Sequence, residues 1–235
     1  MEKVAFITGT GKGIGKAIAE ILLHEKYLVF GFSRTNIIEH KNFNFIEIDL
    51  SNLEQVKKIT FPKLKCKDIL LVNNAATIGE IVPLDMKSDL AIVEEYNLNI
   101  IAPALLCKKF IHFFQEESKL ILNISSGAAI KSVPCWSTYC SAKSALDRLS
   151  EVLDEENHKN LTVFSVHPGI VDTNMQIEIR NSDPNLFPLL SQFTHYYNNN
   201  ELEIAAIIAQ KILYIIKNTT KFKQNIVSIR DISLN

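Results

Sequence analysis

The chain has little glycine, eight residues in 235, and only one tryptophan, three methionines and four cysteines; its formal net charge is -1. Each shortage excludes something. Near-neutrality removes the electrostatic reason to expect nucleic acid or an anionic membrane as a partner. Cys66, Cys107, Cys135 and Cys140 show neither CxxC spacing nor a histidine at metal-ligand spacing. Buried free thiols are therefore expected, with no disulfide and no metal site. No apolar run approaches the roughly 18 residues of a membrane span. The N-terminus has no basic region followed by a long apolar segment, so no secretory signal is expected and a reducing cytoplasm is the expected setting. What is present is a globular balance: 47% hydrophobic and 22% charged residues. The length suits a single domain.

Short β-branched runs alternate with amphipathic stretches, which predicts a doubly wound α/β domain: a mostly parallel sheet of seven strands with helices on both faces. The strands are expected at 4–8, 28–33, 44–49, 69–73, 119–125, 161–167 and 226–229. Ile14, Ala17, Ile18, Ile21 and Leu22 recur at helical spacing, as do Ala142, Ala145, Leu146, Leu149 and Leu153. The link 34–43 is short for a crossover helix, so that helix should be stunted or absent. Lysines 57, 58, 63, 65 and 67 read as a solvated face and its loop. From 175 to 200 the periodicity weakens, interrupted by Pro184 and Pro188. A segment of that length after a strand suggests a substrate lid.

The scarce glycines are concentrated. Gly9, Gly11, Gly13 and Gly15 fall within seven residues, directly behind the first strand. Gly9, Gly13 and Gly15, with Ile14 between the last two, would let the chain turn sharply, bring backbone N–H groups to a pyrophosphate and begin a helix whose positive end favours it. Gly11 reads as a spacer. An ordinary tight turn could use the same glycines, so the loop alone decides nothing. At the end of the second strand, where an acidic residue often receives a ribose 2′-hydroxyl, stand Ser33 and Arg34. With Lys12 in the loop, two cations and no carboxylate meet the 2′ position. The expected cofactor is therefore NADPH/NADP+ rather than NADH.

Tyr139 and Lys143 in "YCSAK" are four residues apart on a helical pattern and so share a face. A nearby ammonium favours the phenolate, which brings a tyrosine toward use as an acid near neutral pH. Ser126 lies thirteen residues earlier, just beyond a buried strand. Together with Thr8-Gly9-x-x-x-Gly13-x-Gly15, "NNAA" at 73–76 and "HPGIVDT" at 167–173, these residues resemble the short-chain dehydrogenase/reductase family, in the expected order along the whole chain.

That resemblance implies a Rossmann-type fold and roles for further residues. Ser126 would hold the substrate carbonyl, Tyr139 protonate it, and Lys143 bind the nicotinamide ribose and tune Tyr139. Asn99, preferred to Asn97, would maintain a proton relay. Asp49 and Leu50 would meet adenine, Asn74 and Ala75 would line the cofactor, and Pro168, Gly169, Val171 and Thr173 would run beside the nicotinamide. A homodimer, or a tetramer, would form through helices spanning about 84–114 and 136–157. Around the site, "CWSTYCSAK" and "DTNMQ" resemble the sepiapterin reductase and (S)-benzoin-forming benzil reductase branches of the family. This implies reduction of a vicinal dicarbonyl, with Trp136 and Met175 against a flat ring and Asp231 as an anchor for a pterin edge. A hydroxysteroid or 3-oxoacyl reductase and a non-catalytic NADPH-binding regulator are the alternatives.

Overall fold

The computed structural model describes residues 3–234. Its strands are β1 (Lys3–Thr8), β2 (Leu28–Ser33), β3 (Phe43–Glu47), β4 (Asp68–Asn73), β5 (Ser118–Ile124), β6 (Leu161–His167), β7 (Val171–Asp172), β8 (Glu203–Ile204) and β9 (Ile226–Ser228). Its α-helices are α1 (Gly13–His24), α2 (Leu53–Lys58), α3 (Asp89–Tyr96), α4 (Ala102–Phe113), α5 (Ser137–Glu155), α6 (Asn174–Arg180), α7 (Leu190–Asn198) and α8 (Ala205–Lys217). Seven strands form one sheet in the order β3-β2-β1-β4-β5-β6-β9. Every pairing in it is parallel, so the sheet is fully and not mostly parallel. The sequence expectation locates these seven strands to within two residues at every edge.

Strand β1 shows why the apolar runs are continuous. Ala5 and Ile7 face one cluster with Ile18 and Leu22 of α1 and Ile208 and Ile212 of α8. Val4 and Phe6 face the other, with Leu106 and Phe110 of α4. Alternating side chains point to opposite faces, and both faces are covered, so no polar alternation is needed. The 34–42 connection carries no helix, as its length implies. Lysines 57, 58, 63, 65 and 67 are all exposed. Of the four free cysteines only Cys107 is fully buried; the other three are partly exposed, short of the buried thiols expected.

Helices α3 and α4 join through a π turn, Asn97–Ile101, into one helix of 25 residues, Asp89–Phe113. By length and composition this helix could cross a membrane, which a search for unbroken apolar runs does not reveal. Here its Ala102, Leu106, Cys107 and Phe110 pack on the sheet. A small second ladder pairs Val171 with Glu203 and Asp172 with Ile204. It brackets residues 175–200, in which helices α6 and α7 form despite the weak periodicity.

Candidate active site

A cleft of about 1350 Å³ runs across the C-terminal ends of the central strands. At one end the glycine loop forms its floor. Gly9 and Gly13 have φ of +74° and +57°, a left-handed conformation that side chains disfavour. Gly15 does not line the cleft but lets α1 approach: a Cβ there would lie 2.3 Å from the Gly9 carbonyl oxygen and from Asn74 Nδ2. Gly11 is not a spacer. A Cβ on it would sit 2.7 Å from Thr35 Oγ1 and 2.9 Å from Thr35 O, so the loop is pressed against the end of β2. Helix α1 starts without a side-chain cap, which leaves its first N–H groups for an anion.

Thr8 locks this loop to the neighbouring strand end. Its Oγ1 accepts from the N–H groups of Asn74 (2.9 Å) and Ala75 (3.0 Å), and Asn74 Nδ2 donates to Thr8 O at 3.0 Å. Lys12, Ile14, Ser33, Arg34, Asp49, Leu50, Asn74 and Ala75 line the cleft as expected. Burial works to raise the Asp49 carboxyl, but hydrogen bonds from Ser51 and the nearby Arg34 charge hold it below its ordinary value. The Lys12 and Arg34 side chains are exposed at the rim.

Ser126, Tyr139 and Lys143 meet at the other end. The Ser126 oxygen accepts from Ala128 N–H at 3.1 Å, leaving its own proton free to be donated. Lys143 Nζ donates to Ile124 O at 2.7 Å and lies 5.7 Å from the centre of the Tyr139 ring. Burial dominates both titrations. It pushes the Tyr139 phenol up to about 12, against the opposing pull of Ser126. It pushes Lys143 down to about 8, against the Asp147 carboxylate. Within the protein's own surroundings, then, Tyr139 is not lowered as expected, because desolvating the phenolate outweighs the one opposing pull, that of Ser126.

Asn99 is fully buried in the π turn and does not line the cleft. Its amide clasps one backbone unit, accepting from Thr77 N–H at 3.0 Å and donating to Thr77 O at 2.9 Å. Asn97 instead donates to Ser51 O. One helical turn before Asn99, Glu95 secures the same cleft-lining loop further along. Glu95 accepts from Glu80 N–H at 2.9 Å, from Lys87 Nζ at 2.7 and 2.9 Å, and from the Thr138 hydroxyl. Gly79 closes the arrangement with φ +67°, since a Cβ there would overlap the Glu95 carboxylate. This buried ion pair ties the loop to Thr138, the residue beside Tyr139.

The substrate end is walled by Ile78, Trp136, Tyr139, Met175, Ile179 and Phe193, with Phe187 packed in the same cluster outside the lining. Trp136 stacks on Phe187 at 5.8 Å and 14° and meets Tyr139 edge-on at 5.7 Å. Pro168, Gly169, Val171 and Thr173 line the cleft as expected. Asp231 does not. It ends the short turn Ile229–Asp231 on the exposed side, and the turn sends Arg230 along Gly169 to the cleft in its place. Sequence reasoning also missed His167, a cleft residue whose Nε2 bonds Asp147 Oδ2 at 2.8 Å. Asp147 lies four residues beyond Lys143 on α5, the same spacing that identified Tyr139 and Lys143. Burial tends to raise its carboxyl, yet bonds from His167, Ser125 and Ser165 hold it below the ordinary value.

Residues 3–184 match the model of the short chain dehydrogenase family. The chain is 34% identical over 232 residues to the benzil reductase ((S)-benzoin forming) of Bacillus subtilis, covering 92% of this chain and 93% of that protein. It is 33% identical over 175 residues to the sepiapterin reductase of Rattus norvegicus, covering 72% and 65% of the two chains. In fold it is similar to a short-chain dehydrogenase/reductase of Saccharomyces cerevisiae, with a TM-score of 0.84 at 22% identity over 97% of this chain and 96% of the other. The aldohexose dehydrogenase of Thermoplasma acidophilum is similar as well, with a TM-score of 0.80 at 21% identity over 100% and 97%.

Proposed function

The chain belongs to the short-chain dehydrogenase family and is an oxidoreductase, and from that premise we propose that it is an NADPH-dependent carbonyl reductase acting on vicinal dicarbonyls. The observation that carries this reading is the convergence of Ser126, Tyr139 and Lys143 on a cleft walled by Trp136 and Phe193. The opposite end fits a dinucleotide, because Gly9, Gly11 and Gly13 line the cradle without side chains and Gly15 lets α1 approach it. Lys12 and Arg34 suit a 2′-phosphate there. Asp231, the residue expected to anchor a pterin, lies off the cleft, which favours an aromatic diketone over a pterin. The similarity to benzil reductase over nearly the full length supports the same choice.

Bound in this cleft, reduced nicotinamide supplies the hydride. The chain supplies everything around it. Ser126 and Tyr139 donate hydrogen bonds to the carbonyl oxygen and polarise it. Tyr139, held protonated by burial, passes its proton to that oxygen as the carbon is reduced. Lys143 spends one of its three N–H donors on Ile124 O, keeps two for a ribose hydroxyl, and offsets the charge left on Tyr139. The Asn99 amide is consumed by Thr77, so any part it takes in proton supply is through its main chain.

Leu90, Val93 and Ile101 on the long helix and Val152 on α5 are exposed, consistent with a homodimer through these helices. A reducing cytoplasm suits the free thiols. The test is cofactor oxidation with benzil, sepiapterin and a simple monoketone, using NADPH and NADH. Tyr139→Phe should lower NADPH-dependent benzil turnover at least about a hundredfold. Equal rates for variant and parent would overturn the mechanism.

A further inference from the structure

Gln176 is only 8% exposed and lines the cleft, yet its Oε1 is sealed from water with no hydrogen-bond partner. It sits in the first turn of α6, between Met175 and Ile179, which pack into the same cluster as Trp136 and Tyr139. An amide brings two donors and two acceptor lone pairs into that wall. Buried polar groups are nearly always satisfied, and leaving one unpaired in an apolar setting is destabilising. Methionine has similar length and would pack there without that penalty. Trp136 Nε1 is likewise buried and unpaired in this wall. Other polar groups of the site have partners: Asn74 is bonded to Thr8, Asn99 to Thr77 and Glu95 to Lys87. Of the five buried unpaired side-chain atoms among the described residues, the Gln176 and Trp136 atoms are the two that belong to cleft-lining residues.

We propose that the Gln176 amide selects the substrate, by donating an N–H to the oxygen of the carbonyl that is not reduced. Oε1 is the sealed atom of the amide, so Nε2 is the one left to carry an N–H into the cleft. With the reacting oxygen held by Ser126 and Tyr139, a vicinal dicarbonyl places its second oxygen one carbon away, and the amide is satisfied only when that oxygen is present. A monoketone leaves it unpaired, and a site built to bond an oxygen rejects the analogue lacking it. This assignment rests on the dicarbonyl reading and names the residue that enforces it.

The test uses benzil and deoxybenzoin, which differ by one carbonyl. kcat/KM is measured with NADPH for the parent and for Gln176→Met, with thermal melting to confirm folding. The expected result is a loss of about tenfold on benzil, carried mainly by KM, with deoxybenzoin not lowered, since the variant has no amide to leave unpaired against it. If Gln176→Met does not fold, Gln176→Glu keeps the shape but presents a carboxylate to the second oxygen, and the same selective loss is expected. A variant that leaves both substrates unchanged, or lowers both equally, overturns the assignment while the reductase reading stands. A parent that reduces neither diketone nor pterin overturns the dicarbonyl reading itself, and the assignment with it.

Discussion

Lys87→Met removes the ammonium from the clamp under the cleft and leaves its other members in place. The Lys87 and Glu95 side chains are 0% and 3% exposed, so Glu95 would remain as an uncompensated charge away from water. Breaking a buried pair from one side costs about 3–5 kcal/mol. Glu95 keeps the Glu80 N–H and the Thr138 hydroxyl, which places the expected loss near the lower bound, about 3 kcal/mol. For a chain of this size that corresponds to a fall in Tm of roughly 6–12 °C. Removing both charges, as in Lys87→Met with Glu95→Leu, eliminates the stranded carboxylate and should recover part of the loss. Urea denaturation of the parent, both single variants and the double variant provides the cycle. The reasoning fails if Lys87→Met costs less than about 1 kcal/mol or if the two single effects simply add.

Three further outcomes follow from particular distances and titrations. Gly15→Ala places a methyl 2.3 Å from Gly9 O, so it should destabilise the protein by about 1–3 kcal/mol and weaken NADPH binding in a fluorescence titration; unchanged affinity would refute the loop geometry. Arg34→Ala should raise KM for NADPH several-fold while leaving KM for NADH nearly unchanged, whereas an equal effect on both would remove Arg34 from the 2′ position. Lys143 is held at about 8 when folded and takes its ordinary value of 10.5 when unfolded. From pH 8 toward 10.5 the unfolded chain therefore binds the extra proton, and this residue makes stability rise with pH. Between pH 7.5 and 9.5 the cofactor-free parent should gain on the order of 1–2 kcal/mol relative to Lys143→Met in urea melts; parallel pH profiles would refute the shift.

The sheet and most of the cleft were legible because they follow from local pattern. A strand buried on both faces must be apolar throughout, and a cradle for a phosphate must lack side chains. Tyr139 and Lys143 share a helix, so their spacing alone places them together. What escaped the sequence depends on chain segments meeting from far apart. Nothing local to Glu95 indicates that Lys87, Gly79 and Thr138 converge on it, and an acidic residue in an amphipathic helix ordinarily reads as solvent-facing. Gly11 looked permissive because its constraint comes from Thr35, more than twenty residues away. Asp231 was misplaced because a single short turn at the end of β9 decides which of two adjacent residues meets the cleft. His167 was visible within "HPG", but only the fold shows that β6 carries it to Asp147 on α5.

The two-residue ladder between β7 and β8 gives the fold a form of modularity. Val171 and Asp172 leave the sheet side of the cleft, and Glu203 and Ile204 return beside them to begin α8. Everything between is an excursion that departs and re-enters at one stitched point. Its length and composition can change while the seam, the sheet and α8 stay where they are, since lengthening a loop with fixed ends adds only slowly to its closure cost. The stretch of cleft wall that the excursion supplies, Met175, Gln176 and Ile179, can therefore change while the strand ends beneath it stay in place.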